Sequence, residues 1–326
     1  MPTRRIFSLT LLATCAATLS TPTLAQAPYP DRPVKVIVAL PAGGSVDMIA
    51  RVVSQKLAAE MGQPFVVDNR AGASGQIGVP AVAKAAPDGY TLMVSPASFL
   101  TTNKSIFKTL PYNPETDFTP ITKLVNQPMV LVVRDKSRFA TPADVLAAAK
   151  ANPGKLTYAS SGDGSPQHLA GLMFTNRTGV DMLHVPYKGG APAITDLMGG
   201  VVDMAFSPLP EALPHIKAGK LHPVGILSDK RASTAPDIPT LKEGGVNNVV
   251  LSAWIGLLAP AKTPQPVIDK LNQSVKTMLQ SPDMKAKLQE AGMESAVDEA
   301  KPLQQVISEE IKIYAELVKA AGLVPQ

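Results

Sequence analysis

Cysteine is almost missing from this chain of 326 residues, and the only one, Cys15, lies in an N-terminal stretch with the marks of an export signal. Arg4 and Arg5 precede an apolar run from Ile6 to about Leu19, and small residues follow, ending in Thr23-Leu24-Ala25. Residues 1–25 are therefore read as a signal peptide cleaved near Ala25 or Ala27, by the general secretory route in preference to the twin-arginine route that Thr3-Arg4-Arg5-Ile6-Phe7 also suggests. Thr14 before Cys15 makes a poor lipoprotein box, so the cysteine leaves with the signal. The mature chain then has neither disulfide nor thiol nucleophile, and in an oxidising compartment its stability must come from a large core.

Other absences narrow the function. No second apolar run approaches membrane-spanning length. The formal charge of +5 falls to +3 without the two signal arginines, and no Lys/Arg cluster carries interleaved aromatics, so nucleic acid is not an expected partner. The four histidines, His168, His184, His215 and His222, show no H-E-x-x-H or close paired spacing, which speaks against a metal site. Gly162-Asp163-Gly164-Ser165-Pro166-Gln167 starts like a dinucleotide fingerprint but has Gln167 where the last glycine belongs. No G-x-S-x-G elbow surrounds Ser45, Ser74 or Ser165. No cofactor is expected.

What is present is an alternation of short β-branched runs with helical patterns, punctuated by 31 prolines at element ends. This is an α/β pattern of parallel-rich sheets flanked by helices. About 300 mature residues exceed the usual single-domain size, so two lobes are expected. Val34 to Leu40, Phe65 to Val67 and Thr91 to Ser95 read as strands of the first lobe. Ile49, Val52, Val53, Leu57 and Met61 share one helical face, and Gly62 stands where that helix should stop. Ile121 to Val133, interrupted by Asn126-Gln127-Pro128, reads as a crossing into a second lobe that opens with the cap and first residue Thr141-Pro142. Leu156 to Ser160 and Met182 to Pro186 read as strands there, and Leu251 to Ala259 as the return, followed by helices over Pro264 to Gln280 and Pro302 to Ala321. The lobes are drawn as residues 26–124, residues 125–250, and a return to the first lobe over 251–326.

Three Gly-rich loops join strands to helices: Pro41-Ala42-Gly43-Gly44-Ser45-Val46-Asp47, Ser160-Ser161-Gly162-Asp163-Gly164-Ser165-Pro166 and Tyr187-Lys188-Gly189-Gly190-Ala191-Pro192. Adjacent glycines let backbone approach a ligand, and the free N–H groups of a first helical turn favour an anion. The first loop is either such an anion trap, with Ser45 or Asp47 capping the helix, or an ordinary turn. Loops of this kind from two halves suit a crevice between lobes, outside the carboxyl ends of the strands. His168 either reaches that crevice or packs. Asp47 and Asp203 either hold a ligand hydroxyl or amine or brace their loops, Lys188 either pairs with a carboxylate or is solvated, and Trp254 either stacks on a ligand or packs at the hinge.

Several ordered segments resemble a known family. They are Tyr29-Pro30-Asp31-Arg32-Pro33, the loop from Pro41 to Asp47, Gly62-Gln63-Pro64, Asp68-Asn69-Arg70-Ala71-Gly72-Ala73-Ser74-Gly75, Ala86-Pro87-Asp88-Gly89-Tyr90-Thr91, and the run from Val185-Pro186-Tyr187 to Gly199-Gly200. Together they are similar to the Bug receptors, the extracytoplasmic solute-binding proteins of tripartite tricarboxylate transporters. Asp68 stands for the commoner glutamate and Ala71 for proline, both beside the proposed contacts rather than on them. The resemblance implies a periplasmic-binding-protein type 2 fold with a ligand cleft between two lobes, and no catalysis. It implies a small organic carboxylate held by loop backbone, hydroxyls and bridging waters. Carried over, this points to Ala42, Gly43, Gly44 and Ser45 in the first lobe, to Ser160, Ser161, Gly162, Gly189, Gly190 and Ala191 in the second, and to Ser95 through Ser98 as cleft wall. Asp47, His168 and Asp203 complete the candidate set. The expected partners are the membrane subunits of such a transporter or a periplasmic sensor domain, with a monomer as the default for a closing receptor. The alternative is a periplasmic enzyme acting on a carboxylated substrate, with His168 or an aspartate as base.

Overall fold

A computed structural model describes residues 29–136, 138–296, 302–320 and 325. The expected export signal with Cys15, and Ala321 at the expected end of the last helix, lie outside the described residues. In chain order the elements are β1 (Val34–Val38), α1 (Ser45–Met61), β2 (Phe65–Asn69), α2 (Gly78–Ala83), β3 (Thr91–Pro96), α3 (Ala97–Leu100), α4 (Asn103–Ile106) and β4 (Phe118–Val133). There follow α5 (Pro142–Ala151), β5 (Thr157–Ser160), α6 (Pro166–Thr178), β6 (Leu183–Pro186), α7 (Gly190–Gly199), β7 (Met204–Pro208), α8 (Leu209–Lys217) and β8 (His222–Ile226). The chain closes with β9 (Ser252–Pro260), α9 (Gln265–Gln280), α10 (Pro282–Glu290), β10 (Glu294–Ser295) and α11 (Leu303–Ala320).

The strands run in the order β2-β1-β3-β9-β4-β7-β5-β6. β2-β1-β3 and β7-β5-β6 are parallel, while β9 and β4 run antiparallel to their neighbours, so two parallel units are joined through a mixed centre. β4 makes the join. Its residues Phe118 to Pro128 pair with β9, and from Met129 to Val133 it pairs with β7 and β8. Pro128 stands at the change of partners, where its missing N–H costs the ladder least. The expected interruption at Asn126-Gln127-Pro128 is thus no break in the strand but the place where one strand changes sheets.

Side-chain alternation explains the layers. Met129, Leu131 and Val133 enter one core with α5 and α6, and Val130 and Val132 enter another with α7 and α8. A strand buried on both faces needs an unbroken apolar run, which is what the sequence supplies there. In the first lobe Val34, Val36 and Val38 face α1, α9 and α10, whereas Ile37, Met93 and Leu258 face α2, α3 and α11.

α11 belongs to both sides. Leu303, Ile307 and Ile311 pack in the first-lobe core, and Tyr314, Leu317 and Val318 pack in a second-lobe core, along one helical stripe. Trp254 is 1% exposed beneath this helix, and its Nε1 donates to both carboxylate oxygens of Glu310 at 2.9 and 3.0 Å. Of its two expected roles, packing is the one the structure supplies.

Candidate functional site

The first loop builds its concavity from backbone. α1 starts at Ser45 with Gly44 as N-cap and no side-chain cap, so neither Ser45 nor Asp47 closes the helix end. Gly43 sits at φ 91°, a conformation that favours glycine, and nothing lies within 4 Å of where a Cβ on Gly43 or Gly44 would stand. Ala42, Gly43 and Gly44 are exposed and Ser45 half-buried. The space beside Gly43 and Gly44 is thus open at the positive end of a 17-residue helix whose first-turn N–H groups have no side-chain cap.

Asp47 holds this loop from below. Its Oδ2 accepts from Gly43 N–H and Arg51 Nε, both at 2.9 Å, and its Oδ1 accepts from Asn69 Nδ2 at 3.0 Å. Asn69 Nδ2 also reaches Leu40 O, tying the loop to the end of β2. Burial pushes the Asp47 carboxyl up, and the hydrogen bonds from Arg51, Gly43 and Asn69 outweigh it, holding it below the usual carboxylate range. With both oxygens occupied, Asp47 is a brace.

In the second lobe, α7 starts at Gly190 with Gly189 as N-cap at φ 123°, again with no side-chain cap. α6 differs: Ser165 accepts from His168 N–H at 3.2 Å and fills its end, as the Ser-Pro signal predicts. The two loops touch, since Tyr187 N–H donates to Ser160 O at 3.0 Å and a Cβ on Gly162 would lie 3.3 Å from Tyr187 O. Gly164 leaves no room for a side chain against Ile106, which brings the 160–165 loop to the α3–α4 segment of the first lobe. That segment is in turn bound to the 69–75 loop, because Asn103 Nδ2 donates to Ser74 O at 2.9 Å. Ser98 is half-buried on α3, and Ser95 is 1% exposed with its hydroxyl turned to Pro96 O.

Asp203 lies elsewhere. Its Oδ2 accepts from the N–H and hydroxyl of Thr157 at 2.9 and 3.0 Å, and Arg138 approaches Oδ1 at 3.3 Å. These residues sit at the amino ends of β5 and β7, the opposite edge of the sheet from the Gly-rich loops. Its expected ligand role is replaced by a clamp between strands.

A feature that sequence spacing did not reveal is the meeting of His168 with His184, stacked at 3.8 Å between centroids and 5° between planes. One stands on the first turn of α6 and the other on β6, so only the fold joins them. His168 Nδ1 accepts from Gly164 N–H at 3.0 Å, and burial together with the neighbouring His184 pushes its pKa down to about 4. His184 Nε2 lies 2.6 Å from Ser160 Oγ, and Asp163 Oδ1 is 3.6 Å from its Nδ1. Asp163, His168 and His184 thus offer ligand atoms within 4.8 Å of one another. Parallel rings, however, aim their in-plane lone pairs side by side rather than at a shared ion. Nor is a nucleophile poised here: Ser160 is 1% exposed and its hydroxyl also accepts from Gly162 N–H at 3.1 Å. His168 spends its basic nitrogen on the backbone, which removes it as a general base. The cluster is a rigid support for the 160–165 loop.

Two parallel α/β units joined by crossing strands, each presenting an uncapped helix at the carboxyl ends of its strands, define a periplasmic-binding-protein type 2 receptor. The chain matches the family described as tripartite tricarboxylate transporter family receptor over residues 49–323, and it belongs to that family. Among solved structures it resembles R. palustris Rpa4515 with adipate, at 34% identity and a TM-score of 0.84, covering 91% of this chain and 100% of that one. The periplasmic binding protein BugD follows at 36% and 0.80, with 91% and 100% covered. MatC from Rhodopseudomonas palustris with bound malate gives 32% and 0.78, with 89% and 100% covered. The relatives are periplasmic binding proteins, and among the described residues no helix is long and apolar enough to cross a membrane.

Proposed function

We propose that this receptor, exported by a cleaved signal over residues 1–25, captures a small organic carboxylate between its lobes without transforming it. It then delivers the ligand to the membrane subunits of a tripartite transporter or to a periplasmic sensor domain. The observation that carries the reading is the pair of helices, α1 and α7, that begin on positive-φ glycine loops with no side-chain cap, one in each lobe. Among the described α-helices, α5, α6 and α10 are capped by Thr141, Ser165 and Ser281, while α2, α3, α4, α8 and α9 lack a side-chain cap but have Ile77, Pro96, Thr102, Pro208 and Pro264 at the N-cap, so a glycine at that position marks α1 and α7. Adipate on Rpa4515 and malate on MatC support a dicarboxylate as the first class to test. Ala42, Gly43, Gly44 and Ser45 would hold one end of it, and Ser161, Gly162, Gly189, Gly190 and Ala191 the other, with Ser95, Ser98 and Ser160 behind them and Asp47 and His168 bracing the loops. The lobes are taken as residues 26–124 with 251–326, and 125–250, with α11 shared, and the receptor as a monomer.

The test is thermal unfolding of the purified protein against mono-, di- and tricarboxylates, aromatic acids and amino acids. A ligand at 100 times its Kd should add about 2.7 kcal/mol, or roughly 5 to 10 °C in midpoint. Gly43→Val, which forces a branched side chain into φ 91°, should abolish the shift while leaving a cooperative transition. A carboxylate-induced shift of full size in Gly43→Val would remove the first-lobe loop from the site, and turnover of the bound acid would replace the receptor with an enzyme.

A further inference from the structure

At the carboxyl edge of the second lobe, next to the loops already described, stands an acidic side chain that none of their motifs includes. Glu211 lies in the first turn of α8, immediately after β7, on the same sheet edge as the 160–165 and 187–190 loops. Its carboxyl rests against Gly190, the first residue of α7. A Cβ on Gly190 would lie 2.9 Å from Glu211 Cδ and 3.3 Å from Oε1 and would collide with Oε2. Only glycine at 190 leaves the carboxyl its place.

Glu211 Oε2 is sealed from solvent and accepts no hydrogen bond from the described residues. Burial is the cause that moves its pKa, which is raised to about 7, and no charged neighbour contributes. A buried acceptor without a donor is unfavourable, and here the free helix end that a ligand would approach adjoins it. The missing donor is therefore sought on the ligand. Above pH 7, where Glu211 is ionised, an unsubstituted carboxylate brought to this spot would meet a group of its own charge, whereas a hydroxyl or an ammonium would supply the hydrogen bond, and the binding comparison belongs at such a pH.

Resting on the receptor reading, we propose that Glu211 is a specificity-determining residue of the cleft, selecting a carboxylate that bears a hydroxyl or ammonium group and donates from it to the Glu211 carboxyl group, whose half-buried side chain turns to accept it. The plain acid of the same skeleton is the disfavoured ligand. A hydroxyl is matched by either protonation state of Glu211, while an ammonium is matched by the ionised carboxylate.

Calorimetric titration with two matched sets tests this: succinate, malate and aspartate, and adipate, 2-hydroxyadipate and 2-aminoadipate. In at least one set a substituted acid is expected to bind tenfold or more tighter than its parent. Glu211→Leu, which keeps the bulk and removes both acceptors, should reduce that advantage to under threefold. Glu211→Gln separates the donors, since its amide oxygen retains preference for a hydroxyl but lacks the charge that favours an ammonium. Gly190→Ala, whose methyl displaces the carboxyl, gives the same loss of preference if Glu211→Leu folds poorly. Parent acids binding as tightly as their derivatives, or a preference that survives both Glu211→Leu and Gly190→Ala, overturns the inference and leaves the receptor standing. Failure of all six acids to bind, with no shift from any carboxylate in the unfolding panel, overturns both.

Discussion

His168 shows how a side chain can be adjacent to a ligand site and yet serve the loop rather than the ligand. Its folded-state pKa of about 4 lies below the ordinary value of 6.5, so it stays neutral in the native protein while the unfolded chain takes up a proton as pH falls below that value. The stability it contributes is therefore complete above pH 6.5 and is lost progressively as pH falls toward 4. At 1.36 kcal/mol per unit the loss approaches about 3 kcal/mol. His168→Asn keeps an acceptor for Gly164 N–H and does not titrate, so urea unfolding of the variant should lose less stability than the parent between pH 6.5 and 4. Equal losses would mean that the ring is not held neutral. The glycine loops were legible in the sequence because their chemistry is local: a Gly-Gly pair before a helical stripe states its own backbone requirement. His168 against His184 and Glu211 against Gly190 were not, because each contact depends on how separate elements pack. The same limit applied to Asp203, whose type suits a ligand but whose place at the amino end of β7 is set by sheet order.

Among the elements, α11 carries the most consequence for its length. Its apolar stripe, 303, 307, 311, 314, 318, reads in sequence as an ordinary amphipathic helix, and nothing in the spacing tells that the covered surface changes lobes between Ile311 and Tyr314. Tyr314 is buried among second-lobe residues, and burial raises its hydroxyl pKa further, with Glu310 adding to the shift. Replacing it by alanine should cost about 3 kcal/mol, in line with large aromatic truncations in cores. Ile307→Ala, in the first-lobe core, should cost about the same. Chemical denaturation of the two variants checks this, and a near-neutral Tyr314→Ala would confine α11 to one lobe. β4 was legible as a crossing because its run of apolar residues exceeds one ordinary strand. β7 and β8 carry no such signal, since Met204 to Pro208 is a short buried run with no polar alternation and Pro223 and Gly225 interrupt His222 to Ile226.

For the molecule as a whole, the architecture asks whether the two helix ends are brought onto one ligand by closure. β4 changes partners at Pro128 and Met129, and Ser252 at the start of β9 pairs with Pro128, so both inter-lobe strands cross at one level. Backbone rotation absorbed there would move each parallel unit as a rigid body, because each is packed on both faces. α11 opposes large opening, since its stripe must stay seated in both lobes. A ligand too short to touch both α1 and α7 gains nothing from closure, and one that spans them stabilises the closed form by its contacts with the second lobe. Small-angle scattering should then show a contraction of the radius of gyration, near about 19 Å for a compact chain of this length, when a binding carboxylate is added in excess. Gly43→Val should show none at the same concentration. A ligand that raises the unfolding midpoint of the parent without contracting it would mean that capture occurs on one lobe alone, with the other contributing only the wall.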